Sequence, residues 1–264
     1  MKIASRNVNG IRAVLKKDFF PRVKATNADI FCFQEVKAFE SQIPAEIRFH
    51  LADYQYVRHH GSRPGYAGTA LFFRKDMNIT EKKAEFSDLM FREDGRMTQL
   101  NFWYQNKEIA LLNLYFPNGN PRADGTEMLP YKLAFYEKYR AYMHSLRAEG
   151  KRVISTGDFN ICHKEIDIAR PEANKDSIGF LPIERAEMDT LVAEHYHDVF
   201  RTLHPTAKDS YTRRSYRSGA RERNVGWRLD YFWVDEAVLP WIATIEHQET
   251  VEGSDHCPII LELK

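Results

Sequence analysis

Several residues able to hold a cation or a phosphate recur where apolar runs stop. Asn7 and Asn9 follow the run Lys2–Ser5, and Glu35 follows Asp29–Phe33. Tyr115 and Asn118 close the run Glu108–Phe116. Asp158 and Asn160 follow Arg152–Thr156, on a turn opened by Gly157. Asp255 and His256 precede Pro258–Leu263, and Asp230 sits inside Leu229–Val234. Taken alone, Gly157-Asp158-Phe159-Asn160 reads equally well as an Asx-turn closing a strand. An ionised carboxylate among apolar neighbours, such as Asp230, is costly unless it is paired or binds a cation. Repetition across so many strand ends points to one polar site at the rim of a sheet, where the scaffold holds groups rigidly next to solvent.

The residue types narrow the chemistry. Carboxylates and amides without clustered histidines or cysteines suit a hard cation, Mg²⁺ or Mn²⁺, rather than zinc. Asn160, Tyr115 and Asn118 are neutral donors suited to phosphate oxygens. One histidine is placed to partner a carboxylate. That set fits phosphodiester hydrolysis by an activated water. No G-x-S-x-G and no P-loop occurs, and Ser254 lies too close in sequence to Asp255-His256 for a serine triad.

The elements that must position these groups read as mixed α/β layers. Further apolar runs occur at Thr69–Phe73 and Gln99–Tyr104. Helical periodicity covers residues 11–27 (Ile11, Val14, Leu15, Phe19) and Glu184–His195. The longest helix is expected after Thr126, with Pro130 in its first turn and Gly150 past its end. Its apolar face would carry Leu133, Tyr136, Tyr139, Tyr142 or Met143, and Leu146. The segments 117–126 and 204–228 read as surface loops of functional length. The 264 residues read as one domain, 1–264. With 38 basic and 37 acidic residues the chain is no polycation, so any nucleic-acid contact rests on local clusters. No apolar run approaches the ~18 residues of a membrane span. Three scattered cysteines and no signal-peptide shape at the N-terminus lead us to expect a reduced, cytoplasmic setting.

The motifs NVNGIR (7–12), QEVK (34–37), LYFPNG (114–119), GDFN (157–160), GFLPIER (179–185), RNVGWRLDYF (223–232) and GSDHCPI (253–259) together closely resemble the exonuclease III family of apurinic/apyrimidinic endonucleases. The resemblance runs from the first strand to the last. It implies a four-layer α/β sandwich, with two mixed sheets face to face, helices outside, and the site at one end. It implies a Mg²⁺-dependent (or Mn²⁺-dependent) nuclease that acts as a monomer on double-stranded DNA with abasic sites or damaged 3′ ends. Alternatives are another Mg²⁺-dependent phosphoesterase of the same fold, or a non-catalytic DNA-binding module.

The same resemblance implies roles. Glu35 would be a metal ligand, with Asn7, Asn9, Asp158, Asn160, Asp255 and His256 lining or completing the metal site. Asp158 would orient or deprotonate the attacking water, and Asn160 and Tyr115 would contact the phosphate. Asp230 would hold His256 charged toward the scissile phosphate. Arg12, Lys37, Tyr66, Arg96, Asn118 and Asn174 match positions near DNA. Trp227 and Leu229 match a pocket for a flipped-out abasic sugar. Between Thr212 and Arg228, six arginines face one acid, Glu222, which suits base-independent phosphate contact.

Three places depart from the family pattern. Arg6 stands where much of the family has Trp, and Asn9 where many members have Asp. Arg213-Arg214 stand where the family has an aromatic pair. Arg213 would contact DNA by stacking on the sugar or bonding a phosphate, but it removes an apolar wall of the sugar pocket, and lower abasic selectivity is expected.

Overall fold

The computed structural model describes residues 1–264 except 16–18, 44–46, 48, 49, 87, 89 and 218, and except the side chains of 19, 20, 22 and 24. The expected helix over 11–27 is two pieces, α1 (Ile11–Val14) and α2 (Phe19–Thr26); residues 16–18 and the Phe19 side chain lie outside the described residues.

Among the described residues, twelve strands form two six-stranded sheets. They are β1 (Lys2–Asn7), β2 (Ile30–Gln34), β3 (Tyr54–His59), β4 (Thr69–Arg74), β5 (Ile79–Lys83) and β6 (Met97–Tyr104). The rest are β7 (Lys107–Tyr115), β8 (Arg152–Asp158), β9 (Tyr196–Asp198), β10 (Asp230–Asp235), β11 (Ile242–His247) and β12 (Ile259–Leu263). One sheet runs β11-β12-β1-β2-β4-β3 and the other β5-β6-β7-β8-β10-β9. The inward faces meet in one core, where Ile3, Ile30 and Leu71 of the first sheet pack with Leu111, Ile154 and Phe232 of the second. Helices cover both outer faces. Ile11 and Val14 of α1 pack behind the first sheet, and α3 (Leu129–Ala148) with α4 (Pro182–Ala193) behind the second. This is the expected four-layer arrangement.

The apolar stripe of α3 is Phe135, Tyr136, Tyr139, Met143 and Leu146. Leu133, expected on that face, is only half-buried, and Lys132 takes the buried position instead. The reason is a partner distant in sequence, described below.

A polar seam crosses the inter-sheet core just beneath the rim. Gln34 Nε2 donates to Ser5 Oγ at 3.0 Å and to Asn113 Oδ1 at 2.7 Å. Asn113 Nδ2 in turn donates to the Ala70 carbonyl and to Thr98 Oγ1, both at 3.0 Å. Gln34 Oε1 is left buried without a partner, but the bonds made by the two amide nitrogens reach both sheets and so tie one sheet's alignment to the other's.

Candidate active site

Strand register brings the polar residues together. In the second sheet, Tyr115 pairs with Asp158 across the parallel β7–β8 ladder, and Asp158 with Asp230 across β8–β10. In the first, Asn7 pairs with Gln34 across the parallel β1–β2 ladder, and Glu35 follows. The segment entering β12 carries Asp255 and His256 to the same rim, because β12 lies against β1.

The end of β8 needs its glycine, which lies within the strand and not in the turn that follows. At Gly157 a Cβ would lie 1.9 Å from the Leu114 carbonyl oxygen, and φ is +137°. Phe159 points inward and stacks on Phe116 at 4.4 Å, while Tyr136 of α3 donates its hydroxyl to the Phe159 carbonyl at 2.6 Å. Such aromatic contacts contribute about 0.5–1.5 kcal/mol each beyond area burial. They fix Asp158 and Asn160 on either side of the ring. Asn9, Glu35, Lys37 and Asn160 all have positive φ, between 45° and 53°. Left-handed non-glycine residues cost of order 1–3 kcal/mol each and cluster at functional sites.

One amide links the two sheets' contributions. Asn7 Nδ2 donates to Glu35 Oε1 and to Asp158 Oδ2, both at 2.8 Å. On one side, Lys37 Nζ lies 2.6 Å from Glu35 Oε2 and donates to Asn9 Oδ1 at 2.7 Å. Asn9 Nδ2 then donates to Asp255 Oδ1 at 2.9 Å. On the other side, His256 Nδ1 lies 2.7 Å from Asp230 Oδ2, and His256 Nε2 lies 3.8 Å from Asp158 Oδ2. Asp158 Oδ1 accepts the Asn160 backbone N–H at 2.9 Å.

Burial and charge set the protonation states. Burial alone would lower the His256 pKa, but the carboxylates of Asp230 and Asp158 outweigh it and raise it to about 9. Burial raises Asp158 to about 7; Asp230 and Glu35 add to the rise, and His256 and Asn7 oppose it. Burial likewise raises Tyr115 well above 10, so it stays a neutral hydroxyl. Asp255 is held below the ordinary carboxyl value: burial works against this, and His256, Asn9 and Arg213 outweigh it.

The donor set fits a divalent cation. Asp158, Asp230 and His256 offer ligand atoms within 4.8 Å of one another. Asp230 Oδ1 is buried without a hydrogen-bond partner, the state of an oxygen that a cation or substrate would satisfy. Glu35 and Asp255 add hard carboxylate oxygens beside them.

The other sequence-selected residues divide. Arg96 is buried between Asp94 and Tyr66, donating to the Tyr66 hydroxyl at 2.6 Å, with its guanidinium 5.2 Å from the Tyr115 ring centre. Leu229 packs with Cys162, Ile168 and Phe180, and Trp227 leans on that group. Arg12 and Asn118 are exposed. Asn174 is turned inward on its own helix start, donating to the carbonyls of Ala169 and Arg170. The arginine-rich segment is corrected in part. Arg228 has no exposed surface and is spent on Asp167 and Asp198, while Arg214 is buried on Asn224 and Glu249. A desolvated guanidinium paired with carboxylates holds the fold and cannot reach DNA. Arg213, half-buried, turns its Nε to Asp255 Oδ2 at 3.3 Å and away from a stacking role.

Sequence reasoning missed one buried ion pair. Lys132 on α3 and Glu184 on α4, both without exposed surface, lie 2.5 Å apart. Lys132 Nζ also donates to the carbonyls of Asn160 at 2.8 Å and Asn118 at 3.2 Å. Glu184 accepts the N–H of Gly179 at 2.6 Å. The available signal was a lysine within the apolar stripe of a helix.

The family model of the Endonuclease/Exonuclease/phosphatase family matches residues 6–256. This chain belongs to that family. It is 35% identical to an exodeoxyribonuclease of Bacillus subtilis over 99% of this chain and 98% of the relative. It is 36% identical to a DNA repair nuclease APEX1 of Danio rerio, over 100% of this chain and 82% of the relative. Its fold matches the crystal structure of an AP endonuclease from Leishmania major with a TM-score of 0.85 and 29% identity, covering 98% of this chain and 86% of that one. The family member is thus a DNA-repair nuclease, a phosphodiester hydrolase. No helix among the described residues is long and apolar enough to cross a membrane.

Proposed function

We propose that this chain, acting as a monomeric single domain inside the cell, cuts the phosphodiester on the 5′ side of abasic sites in double-stranded DNA. The cut leaves a 3′-hydroxyl and a 5′-deoxyribose phosphate. Work at 3′ ends, as 3′ to 5′ exonuclease and in removing blocking groups, belongs to the same reading. The observation that carries it is the bridge from Glu35 through Asn7 to Asp158, with His256 facing Asp158 from the Asp230 side.

Glu35, Asp158 and Asp255 would hold Mg²⁺, or Mn²⁺ in its place, with Asn7, Asn9, Asn160 and His256 around them. The ion, when bound, supplies positive charge for the phosphate and for the oxygen that departs. Asp158 receives Asn7 Nδ2 and the Asn160 N–H, which fix its carboxylate as the group that orients the attacking water. Burial and the neighbouring carboxylates raise its pKa to about 7 while no cation is bound. His256, charged at neutral pH, is a clamp for the phosphate rather than a base. The neutral Tyr115 hydroxyl donates to a phosphate oxygen. Asn160 Nδ2 gives one N–H to the Phe116 carbonyl at 2.9 Å, leaving the other for phosphate. Lys37, Tyr66, Arg96, Asn118, Arg12 and Asn174 border the DNA path, and Trp227 and Leu229 form part of the sugar pocket.

The deciding experiment is a duplex carrying one abasic analogue, incubated with Mg²⁺ or with chelator. Incision with Mg²⁺ only is expected, and no incision in either condition would overturn the reading.

A further inference from the structure

We propose that Arg6 and Arg214 are positioning residues for catalysis: from two sides they clamp the segment 249–256 and so set His256 against Asp230. The inference rests on the reading of His256 as a phosphate clamp.

Residues 249–256 form no strand beyond a single bridge of His256 to Arg213, so most of their carbonyls have no ladder partner. Arginine supplies several donors in one rigid fork and can staple such a segment at more than one point. Arg6, 6% exposed, does this from β1. Its Nε donates to the His256 carbonyl at 3.1 Å and its Nη2 to the Glu252 carbonyl at 2.9 Å. Arg214, 5% exposed, acts from the other side. Its backbone N–H donates to the Asp255 carbonyl at 2.8 Å, and its guanidinium bonds the Glu249 carboxylate. The His256 carbonyl is thereby held by the Arg6 side chain, and the Asp255 carbonyl by the main chain at Arg214. With the His256 peptide fixed, its ring is delivered to Asp230 Oδ2 at 2.7 Å.

The two unusual positions noted in the sequence thus belong to one device. An aromatic residue at position 6 would fill space but could not bond both the His256 and Glu252 carbonyls, and one at position 214 could not pair with the Glu249 carboxylate.

The test uses the full chain with Mg²⁺ and a duplex bearing one abasic analogue. The variants are Arg6→Met, Arg6→Lys, Arg214→Met, His256→Ala, and Arg6→Met combined with His256→Ala. Arg6→Met is expected to lower kcat about tenfold or more, with KM changed less than about twofold. Arg6→Lys, keeping one of the bonds, should fall between it and the parent. Amide hydrogen exchange should speed up over 250–257 and nowhere else. Added to His256→Ala, Arg6→Met should cost little more, because the group it positions is gone. Full additivity, or an unchanged kcat despite faster exchange, overturns the proposal and leaves a merely structural role. If His256→Ala alone keeps the parent turnover, the catalytic reading of His256 falls. Unaltered exchange in Arg6→Met and Arg214→Met independently removes the clamp.

Discussion

Asp230 Oδ2 holds His256 Nδ1 at 2.7 Å, and this leaves His256 Nε2 facing Asp158 Oδ2 at 3.8 Å. An imidazolium held between two buried carboxylates has a pKa raised from 6.5 to about 9. The raised value means that the folded state binds the proton more tightly than the unfolded chain. The stability so gained is fully present below about pH 6.5 and is lost as pH rises through about 9; it amounts to about 3 kcal/mol. Metal-free protein should therefore show a denaturation midpoint that falls between pH 7 and 9.5. His256→Ala should lack most of that fall, and an identical fall in the variant would count against the assignment.

Asp158→Asn keeps the size and one acceptor but removes the charge that aims the water. Turnover on the abasic duplex should drop by about 10²–10⁴. Duplex affinity, measured by fluorescence anisotropy in chelator, should stay within about threefold. Retained turnover would remove Asp158 from its role.

Lys37 pairs directly with Glu35 through Oε2. A cation approaching Glu35 must displace that ammonium. Calorimetric titration with Mn²⁺ should thus show weaker binding in Glu35→Gln, by tenfold or more, about 1.4 kcal/mol. Lys37→Met should bind Mn²⁺ a few-fold more tightly while binding duplex DNA less well. Weaker metal binding in Lys37→Met would contradict this.

Arg213 directs its guanidinium to Asp255 rather than to the Trp227–Leu229 pocket. Arg213→Phe should restore an apolar wall and raise the ratio of abasic incision to digestion of undamaged ends several-fold. An unchanged ratio would show that the wall does not set selectivity.

Gly157→Ala places a methyl 1.9 Å from the Leu114 carbonyl at a φ of +137°. The β7–β8 contact must open, so a loss of about 3 kcal/mol or more is expected in urea unfolding. A loss under 1 kcal/mol would mean that the strand end relaxes freely.

The site residues were legible in the sequence because central strands advertise themselves. β1, β2, β7, β8, β10 and β12 are buried on nearly every residue, so their polar ends stand out. The four strands that went unseen, β3, β5, β9 and β11, are the four edges of the two sheets. Segments such as Ile79–Lys83 (ITEKK) carry charges on exposed positions, as edges commonly do, and lose the apolar run that marks a strand. Arg228 was misread for another reason: its acids, Asp167 and Asp198, stand 61 and 30 residues away. Local sequence shows a basic loop, and only the fold shows that the charge is already matched. Lys132 with Glu184, 52 residues apart, was hidden in the same way.

The pairing of β12 with β1 joins Lys2 to Glu262 and Ser5 to Ile259. A ribosome emits β1 long before β12. Glu35 and Asp158 can be long exposed before His256 emerges, and the strand that pairs with Lys2–Ser5 is missing until then. Chains stalled before Ser254, which lack Asp255 and His256, should incise nothing however much of the second sheet has formed.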